Sequence, residues 1–586
     1  MIKKKYKRQI KFFKQLKEEK IFQRILNLFK AFPREIFDCQ QISYRIDPTS
    51  QTNSLIIVRV LEILCKKKIL VKIDKSKYQL KNTKSTIPSI QDEYNLPCKY
   101  PEEAEKAAQK IPNHITLTEI SNREDFRETL TFTIDPQNAK DFDDALSIKK
   151  LSNNFYEIGV HIADVTHYIK PDSSIDKEAL KRGTSIYLVD KVIPMLPESL
   201  CNEVCSLRPN EDKLCFSVIF EMDGKAKIHN YRIRRTIIRS DHRFTYEEAQ
   251  EIIERSFATN YEDCSLNSSV FTLNCLAKIL REKRFSNGSI DFVQREIQFD
   301  LDREGNPLDI YLKKNNEANQ LVEEFMLLAN KTIAEIVGKV PKNKRAKPFV
   351  YRVHGLPDIE KIKNLKQLVR SFGYKLNIKR INNETSKNIS SLFKQVQGTR
   401  EQNLIETIAL RTMEKAIYTT ENVGHYGLAF KYYTHFTSPI RRYPDMIVHR
   451  LLEKYLNRKY SVSKKSLERL CKHCSEQESI AIQAERASIK AKQVEFMSTK
   501  VGNTFDGVIS NVTEWGLYVE LGNGCEGLIP MRYLDDDFYE LDEKTYRLIG
   551  KTKKHIYCLG DPLQIRVIHS NLEKRQLDFA PISFKK

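Results

Sequence analysis

No apolar run in the 586 residues approaches the ~18 that a membrane-spanning helix requires, and the mean hydropathy of −0.50 points the same way. A membrane partner is therefore not expected. Dense cysteine pairing is absent too. Twelve cysteines are scattered from Cys39 to Cys558, which fits reduced thiols in a cytoplasmic setting better than a disulfide scaffold. One close pair, Cys471 and Cys474 in CKHC, has no second pair beside it, whereas structural zinc wants about four ligands. Two cysteines carried by one helix is the simpler reading. The opening residues, MIKKKYKRQIKFFKQLKEEK, lack the apolar core of a secretory signal and read as a basic helix leading into a folded domain. Tryptophan occurs once, at Trp515, and no internal repeat or low-complexity tract is present.

Negative charge is in short supply. Lys and Arg number 98 against 77 Asp and Glu, a net charge of +21. Such an excess attracts polyanions through long-range fields and counterion release. A lysine-biased genome would give the same excess without such a partner. The 40% hydrophobic content supplies substantial cores. At ~100–200 residues per domain, the length gives three to five domains.

Residues 1–82 read as helices followed by a β-ribbon. IIVRVLEILCKKKILV spaces its apolar residues for a helix, and KILVKIDKSKYQL reads as two strands around a polar turn. Together they suggest a winged-helix-like module, serving either nucleic-acid contact or packing. Residues 83–115 read as a linker and helical lead-in, with PEEAEKAAQK a proline-started helix. Residues 116–498 form a mixed α/β region. Strand-like TFTI and FYEIGVHIADV come early, helical ANQLVEEFMLLANKTIAEIV later, and a long polar helix covers about 464–497. Residues 499–586 alternate apolar and polar positions between glycine turns, as a small closed barrel does. In GLYVEL, Leu517, Val519 and Leu521 point one way and Tyr518 the other. Tyr518 and nearby Trp515 then offer stacking platforms for bases on the outer face. The fold class expected is α+β and multidomain.

The sharpest chemical signal is TIDPQNAKDFDDALSI, which places Asp135, Asp141, Asp143 and Asp144 within ten residues between apolar strands. Carboxylates crowded at a strand end repel one another unless a cation compensates them. Oxygen ligands suit Mg²⁺ or Mn²⁺, and two such ions ~4 Å apart can cleave a phosphodiester. A calcium loop fails: counted from Asp141, the sixth and twelfth positions are Leu146 and Ser152, where Gly and Glu belong. A solvated acidic turn remains the plain alternative. The second signal is HFTSPIRRYPDMIVHR, where Pro444 starts a helix and Arg441 and Arg442 precede it. A guanidinium held on a rigid loop can clamp a phosphate, although either arginine alone could be a surface charge.

DPQNAKDFDDA, GVHIADVTHYI, RGTSIYLVDKVIPMLPESLCNEVCSLRPNEDKL, YRVHGLPD and HYGLAFKYYTHFTSPIRRYPDMIVHR, running in order from about Phe132 to Leu452, resemble the catalytic (RNB) domain of the ribonuclease II/ribonuclease R family. The tail resembles an S1-type OB-fold, and the N-terminus resembles the winged helix found in ribonuclease R. The resemblance implies a processive 3′-to-5′ hydrolytic exoribonuclease that releases nucleoside 5′-monophosphates in RNA turnover. Asp135, Asp141, Asp143 and Asp144 match the family's metal-binding and catalytic aspartates. Arg441 matches the arginine near the scissile phosphate. Tyr187 and Phe292 match the aromatics that clamp the 3′-terminal bases, and Tyr246 and Glu323, with Glu324 adjacent, match residues holding the terminal nucleotide. His161, His167 and His449 fall at core or supporting positions. The implied partner is single-stranded RNA, or structured RNA with a 3′ overhang, bound by a monomer. One departure stands out: residues 83–100 are too few for even one of the family's two cold-shock barrels, since five strands of ~5 residues already exceed them. A non-catalytic RNA-binding regulator with the same fold is the alternative. It would be signalled by loss of an aspartate or of the arginine, and all are present.

Overall fold

The computed structural model describes residues 21, 24–25, 27–29, 37–46, 54–66, 70–72 and 77–80, and then 89–582 apart from 153–154, 257–264, 291–295, 314, 342, 344–345, 379–382, 400, 458–461 and 543–545. Two compact units divide the chain at Glu93/Tyr94.

In the first unit, the helix Ser54–Lys66 buries Ile57, Val60, Leu61 and Leu64. That i, i+3, i+4, i+7 stripe gives the helix a single apolar face. It packs with Ile25, Phe29 and Ile42 under a small antiparallel sheet. Leu70–Lys72 and Lys77–Leu80 form the ribbon, and Phe37–Asp38 pairs on its other side. Helices under a β-ribbon make this module winged-helix-like.

The second unit is organised by a seven-stranded sheet. Its order is His242–Thr245, Thr131–Asp135, Asp144–Lys150, Phe155–Ala163, Asp212–Asp223, Ile228–Arg239 and Glu124–Asp125. Phe132, Ile134, Val160, Ile162, Val218 and Phe220 are all buried, and the central strands accordingly read as near-continuous apolar runs. Thr131–Asp135 and Asp144–Lys150 pair antiparallel, with Phe132 opposite Leu146. The C-terminal end of one strand therefore adjoins the N-terminal end of the next, and Asp135 and Asp144 meet at the same end of the sheet's strands.

One buried carboxylate of this unit is fully paired. Asp164, at the end of Phe155–Ala163, takes Arg123 at 2.8 Å and also contacts Arg235. Burial alone would raise its pKa, but the two guanidiniums overcome that and hold the carboxyl down at about 2. A depressed folded-state pKa contributes stability that is full above the unfolded value of ~3.9 and is lost as pH falls through the folded one. Asp164→Asn should therefore cost on the order of 2 kcal/mol at pH 7. Paired urea melts should show the gap between the two proteins closing as pH falls towards 2. A gap that persists at acid pH would show that the pairing is not its source.

The C-terminal strands Thr504–Thr513, Gly516–Leu521, Glu526–Pro530, Gln576–Pro581 and Pro562–Asn571 close into a barrel. Leu517 and Val519 are fully buried inside it, with Ile565 and Phe579. Gly516 adopts φ +140°, and a Cβ there would stand 2.0 Å from the Ile529 carbonyl oxygen, so only glycine fits the turn that carries Trp515. The 35-residue helix Lys464–Ser498 joins the barrel to the sheet-bearing region. Glu478 on this helix takes Arg352 in a two-pronged pair at 2.6 and 2.9 Å. Further along, Gln493 donates to the Gly524 carbonyl at 2.8 Å and Lys490 to that of Glu526 at 2.6 Å. Cys471 and Cys474 are buried on the helix, where burial raises both thiols. Among the described residues, no helix is long and apolar enough to cross a membrane.

Candidate active site

The four aspartates lie along one broad hairpin. Asp135 ends its strand, Asp144 begins the next, and Asp141 and Asp143 lie in the irregular connection between them. The connection is held by scattered backbone bonds, from Ala163 to Asp143 at 2.9 Å and from Leu207 to Phe142 at 3.0 Å, and by side chains. Arg243, whose ring-facing guanidinium stands 5.6 Å from the Phe142 ring centre, donates to the carbonyls of Pro136 at 2.5 Å and Gln137 at 2.9 Å. At the far end, Asp143 accepts the backbone N–H of Ile440 through Oδ1 at 2.8 Å. Its Oδ2 stands 3.3 Å from Arg441 Nε, close enough to attract but not aligned as a hydrogen bond.

Charge in this pocket is undercompensated. Asp143 is buried, and burial pushes its carboxyl well above the usual range despite Arg441 and the Ile440 N–H. Burial, and then repulsion from Asp144, raises Asp135 to about 8, with Arg243 opposing. Burial raises Asp144 to about 6 against the pull of Arg441 and Arg442. Oδ2 of Asp135 and Oδ2 of Asp143 are buried without a hydrogen-bond partner. Buried carboxylate oxygens left open in this way are costly unless a cation meets them. The donor set, all hard oxygen, suits a divalent ion of the Mg²⁺ or Mn²⁺ kind. As the side chains stand, no three His, Cys, Asp or Glu among the described residues form a ready cage.

The two arginines of the second motif separate into different roles. Arg442 stands just before the helix Tyr443–Leu456, which has proline in its first turn, and pairs with buried Asp445 at 2.8 Å. It is thus committed to structure, which leaves Arg441, the arginine the resemblance singles out, as the candidate phosphate ligand. The Arg441 side chain is 42% exposed beside Asp143, and its Nη2 donates to Ser438 Oγ at 2.9 Å. Its carbonyl accepts from the Ser185 N–H at 2.9 Å and from the Thr184 hydroxyl at 3.0 Å. Those residues lead directly into Tyr187, whose hydroxyl stands 3.5 Å from Asp141 Oδ2. Tyr246 opens the helix Tyr246–Ser256 at the same end of the sheet's strands. Burial and the charges of Asp144 and Asp135 keep its phenol protonated.

Tyr187, Tyr246 and Arg441 are therefore gathered around the aspartates. Glu323 and Glu324 lie on the helix Glu317–Gly338. Glu324 is buried and takes the Arg284 guanidinium at 2.5–3.2 Å, while Glu323 is 41% exposed with Arg284 at 3.6 Å and Arg281 at 3.9 Å. Phe292 lies outside the described residues. Trp515 and Tyr518 belong to the barrel, Trp515 being 68% exposed and Tyr518 half-buried. His161 sits fully buried between Ser147 and Ser217 at 2.9 and 2.8 Å, and His449 stacks on Phe436 at 4.3 Å. Both serve packing. Sequence reasoning missed Arg243, Ser438 and the Ile440 N–H. The last two lie inside a motif it had marked, but no residue type announces a backbone donor.

Comparison with known proteins bears on the same elements. The RNB domain model matches residues 123–458, more than half of the chain, and the S1 RNA binding domain model matches residues 498–579. Ribonuclease R of Aquifex aeolicus is 40% identical over 490 residues, covering 83% of this chain and 68% of that protein. Ribonuclease R of Thermotoga maritima is 38% identical over 505 residues, 84% of this chain and 70% of that protein. The structure of Mycoplasma genitalium RNase R in complex with ribose methylated single-stranded RNA superposes with a TM-score of 0.77 at 27% identity, covering 84% of this chain and 77% of that one. The aspartate hairpin and the Arg441 loop fall inside the first match and the barrel is the second, so the chain belongs to the ribonuclease II/ribonuclease R family of RNB-domain proteins.

Proposed function

We propose that this protein is a 3′-to-5′ exoribonuclease that hydrolyses single-stranded RNA processively to nucleoside 5′-monophosphates, acting as a monomer in the cytoplasm. The observation that carries the reading is the junction of Asp143 with the Arg441 loop. A buried carboxylate with an open oxygen and a half-exposed guanidinium are held side by side through the Ile440 N–H at 2.8 Å. Relatives named ribonuclease R and a related structure holding single-stranded RNA support the substrate class.

Asp135, Asp141, Asp143 and Asp144 would hold Mg²⁺ or Mn²⁺, which when bound supplies an activated water and relieves charge on the leaving oxygen. The chain's own groups do the rest. Arg441, anchored through its carbonyl and through Ser438, offers its guanidinium to the phosphoryl oxygens where charge develops. Tyr187, with Phe292 as its partner, would clamp the 3′-terminal bases, and Tyr246 and Glu323 would hold the terminal nucleotide. Stacking of this kind contributes about 1–3 kcal/mol per base and is indifferent to sequence. Trp515 and Tyr518 hold the strand further upstream. An overhang on structured RNA would enter by the same route.

A time course on 5′-labelled single-stranded RNA tests this, run with Mg²⁺, with chelator and on a circular control. The expected result is metal-dependent shortening to one small labelled fragment with circles untouched. Binding without cleavage would favour the non-catalytic regulator, and cut circles would mean an endonuclease. In the same assay Tyr187→Ala should lengthen the final fragment, because a short end that has lost its stacking partner dissociates sooner. An unchanged end product would remove Tyr187 from the grip.

A further inference from the structure

We infer that Ser206 is a positioning residue for the aspartate hairpin, setting the direction in which Asp141 faces a metal ion. The inference rests on the reading of that hairpin as a metal site.

The geometry begins upstream. Residues Ser199–Val204 form one turn of π-helix, closed by the N–H of Cys205 donating to the carbonyl of Leu200 at 2.9 Å. π-Turns are rare and recur at functional sites. This one delivers Ser206 directly beneath the connection carrying Asp141. The Ser206 hydroxyl donates to the Lys140 carbonyl at 2.6 Å and accepts the Phe142 N–H at 3.0 Å. Next to it, the Leu207 N–H donates to the Phe142 carbonyl at 3.0 Å. Asp141 is thus held on both flanks by one fully buried side chain. A hydroxyl has one proton to give and lone pairs to receive, so the two bonds to Ser206 are complementary and leave it satisfied.

Asp141 belongs to no strand or helix. Arg243 fixes the hairpin at Pro136 and Gln137, and the Ile440 N–H fixes it at Asp143. Between those points Ser206 supplies the side-chain restraint on the Asp141 backbone. Outer groups that orient metal ligands typically change metal affinity or activity by about 10–100-fold when removed. Ser206→Ala deletes both bonds, and with them the angle at which Asp141 is presented.

The experiment compares the full chain with Ser206→Ala, Ser206→Thr and Val218→Ala. The last truncates a buried residue of the Asp212–Asp223 strand and touches neither bond. Mn²⁺ binding is read directly by electron paramagnetic resonance without RNA, alongside RNA affinity and single-turnover hydrolysis. Ser206→Ala should weaken Mn²⁺ binding and slow hydrolysis by about 10–100-fold at unchanged RNA affinity. Ser206→Thr, which keeps the hydroxyl, should recover most of both, and Val218→Ala should bind Mn²⁺ as the parent does. Parent-like Mn²⁺ affinity in Ser206→Ala overturns the inference, as does an equal loss in Val218→Ala. Should Ser206→Ala not fold, Ser206→Thr and Ser206→Cys still rank by hydrogen-bonding strength, and equal Mn²⁺ affinity in the two would overturn it. A parent chain that hydrolyses RNA without metal would instead sink the metal reading itself.

Discussion

Replacing Asp143 with asparagine should cut RNA hydrolysis by roughly 10³-fold or more while leaving RNA affinity within about twofold of the parent. The asparagine oxygen can still accept the Ile440 N–H that Asp143 accepts at 2.8 Å, so the Arg441 loop keeps its seat. What goes is the charge. That same charge is a burden to the protein without metal, since burial pushes the Asp143 carboxyl well above its ordinary range. Asp143→Asn should therefore melt no lower than the parent in chelator, and it should gain less than the parent from added Mg²⁺. Gains of this sort at the expense of activity are the usual signature of a strained functional group. Thermal melts with and without Mg²⁺, beside single-turnover hydrolysis, read both halves. An active variant would end the assignment of Asp143.

The second large effect contrasts neighbours. Arg442→Ala should cost about 3–5 kcal/mol of folding stability, because it strands the buried carboxylate of Asp445. Arg441→Ala should cost little stability and reduce turnover by about 10²-fold or more, since its side chain is 42% exposed and leans on Asp143 only at 3.3 Å. Urea melts separate the first from the second, and kcat against KM locates the second in the chemical step. Equal melting midpoints in the two variants would refute the division of labour.

Much of this site was readable before any coordinates because its acidic half is local. Four carboxylates within ten residues, flanked by apolar runs, describe a hairpin end by themselves. The helix Ser54–Lys66 and the barrel strand Gly516–Leu521 were legible for the same reason, periodicity being a near-neighbour property. The pairings that hold the site are not local. Asp143 finds Ile440 across 297 residues, Ser206 finds Phe142 across 64 and Thr184 finds Arg441 across 257. Such contacts are products of topology and leave no trace in spacing. That Arg442 pairs with Asp445 while Arg441 faces Asp143 is likewise a product of packing, since two adjacent arginines are spelled alike. Glu323 and Glu324 could have been told apart. Leu321 and Phe325 are buried on their helix, and position 324 shares that face by the 3.6-residue repeat whereas 323 turns away from it.

The long helix Lys464–Ser498 has a consequence for how the proposed exoribonuclease would respond to RNA length. Thirty-five residues at ~1.5 Å each make a strut of about 52 Å. Ser488 on this strut accepts the Val189 N–H at 3.0 Å, two residues beyond Tyr187, and Gln493 meets the barrel at 2.8 Å. The two contacts lie only five residues apart, ~7.5 Å along the helix, so the segment leading from Tyr187 and the barrel are fixed to one stretch of a single rigid element. An RNA long enough to touch both gains the second contact at high effective concentration, and a shorter one gains none of it. On the proposed function, affinity should consequently rise in a step at one chain length instead of climbing nucleotide by nucleotide, because this stretch of helix fixes the spacing between the two contacts.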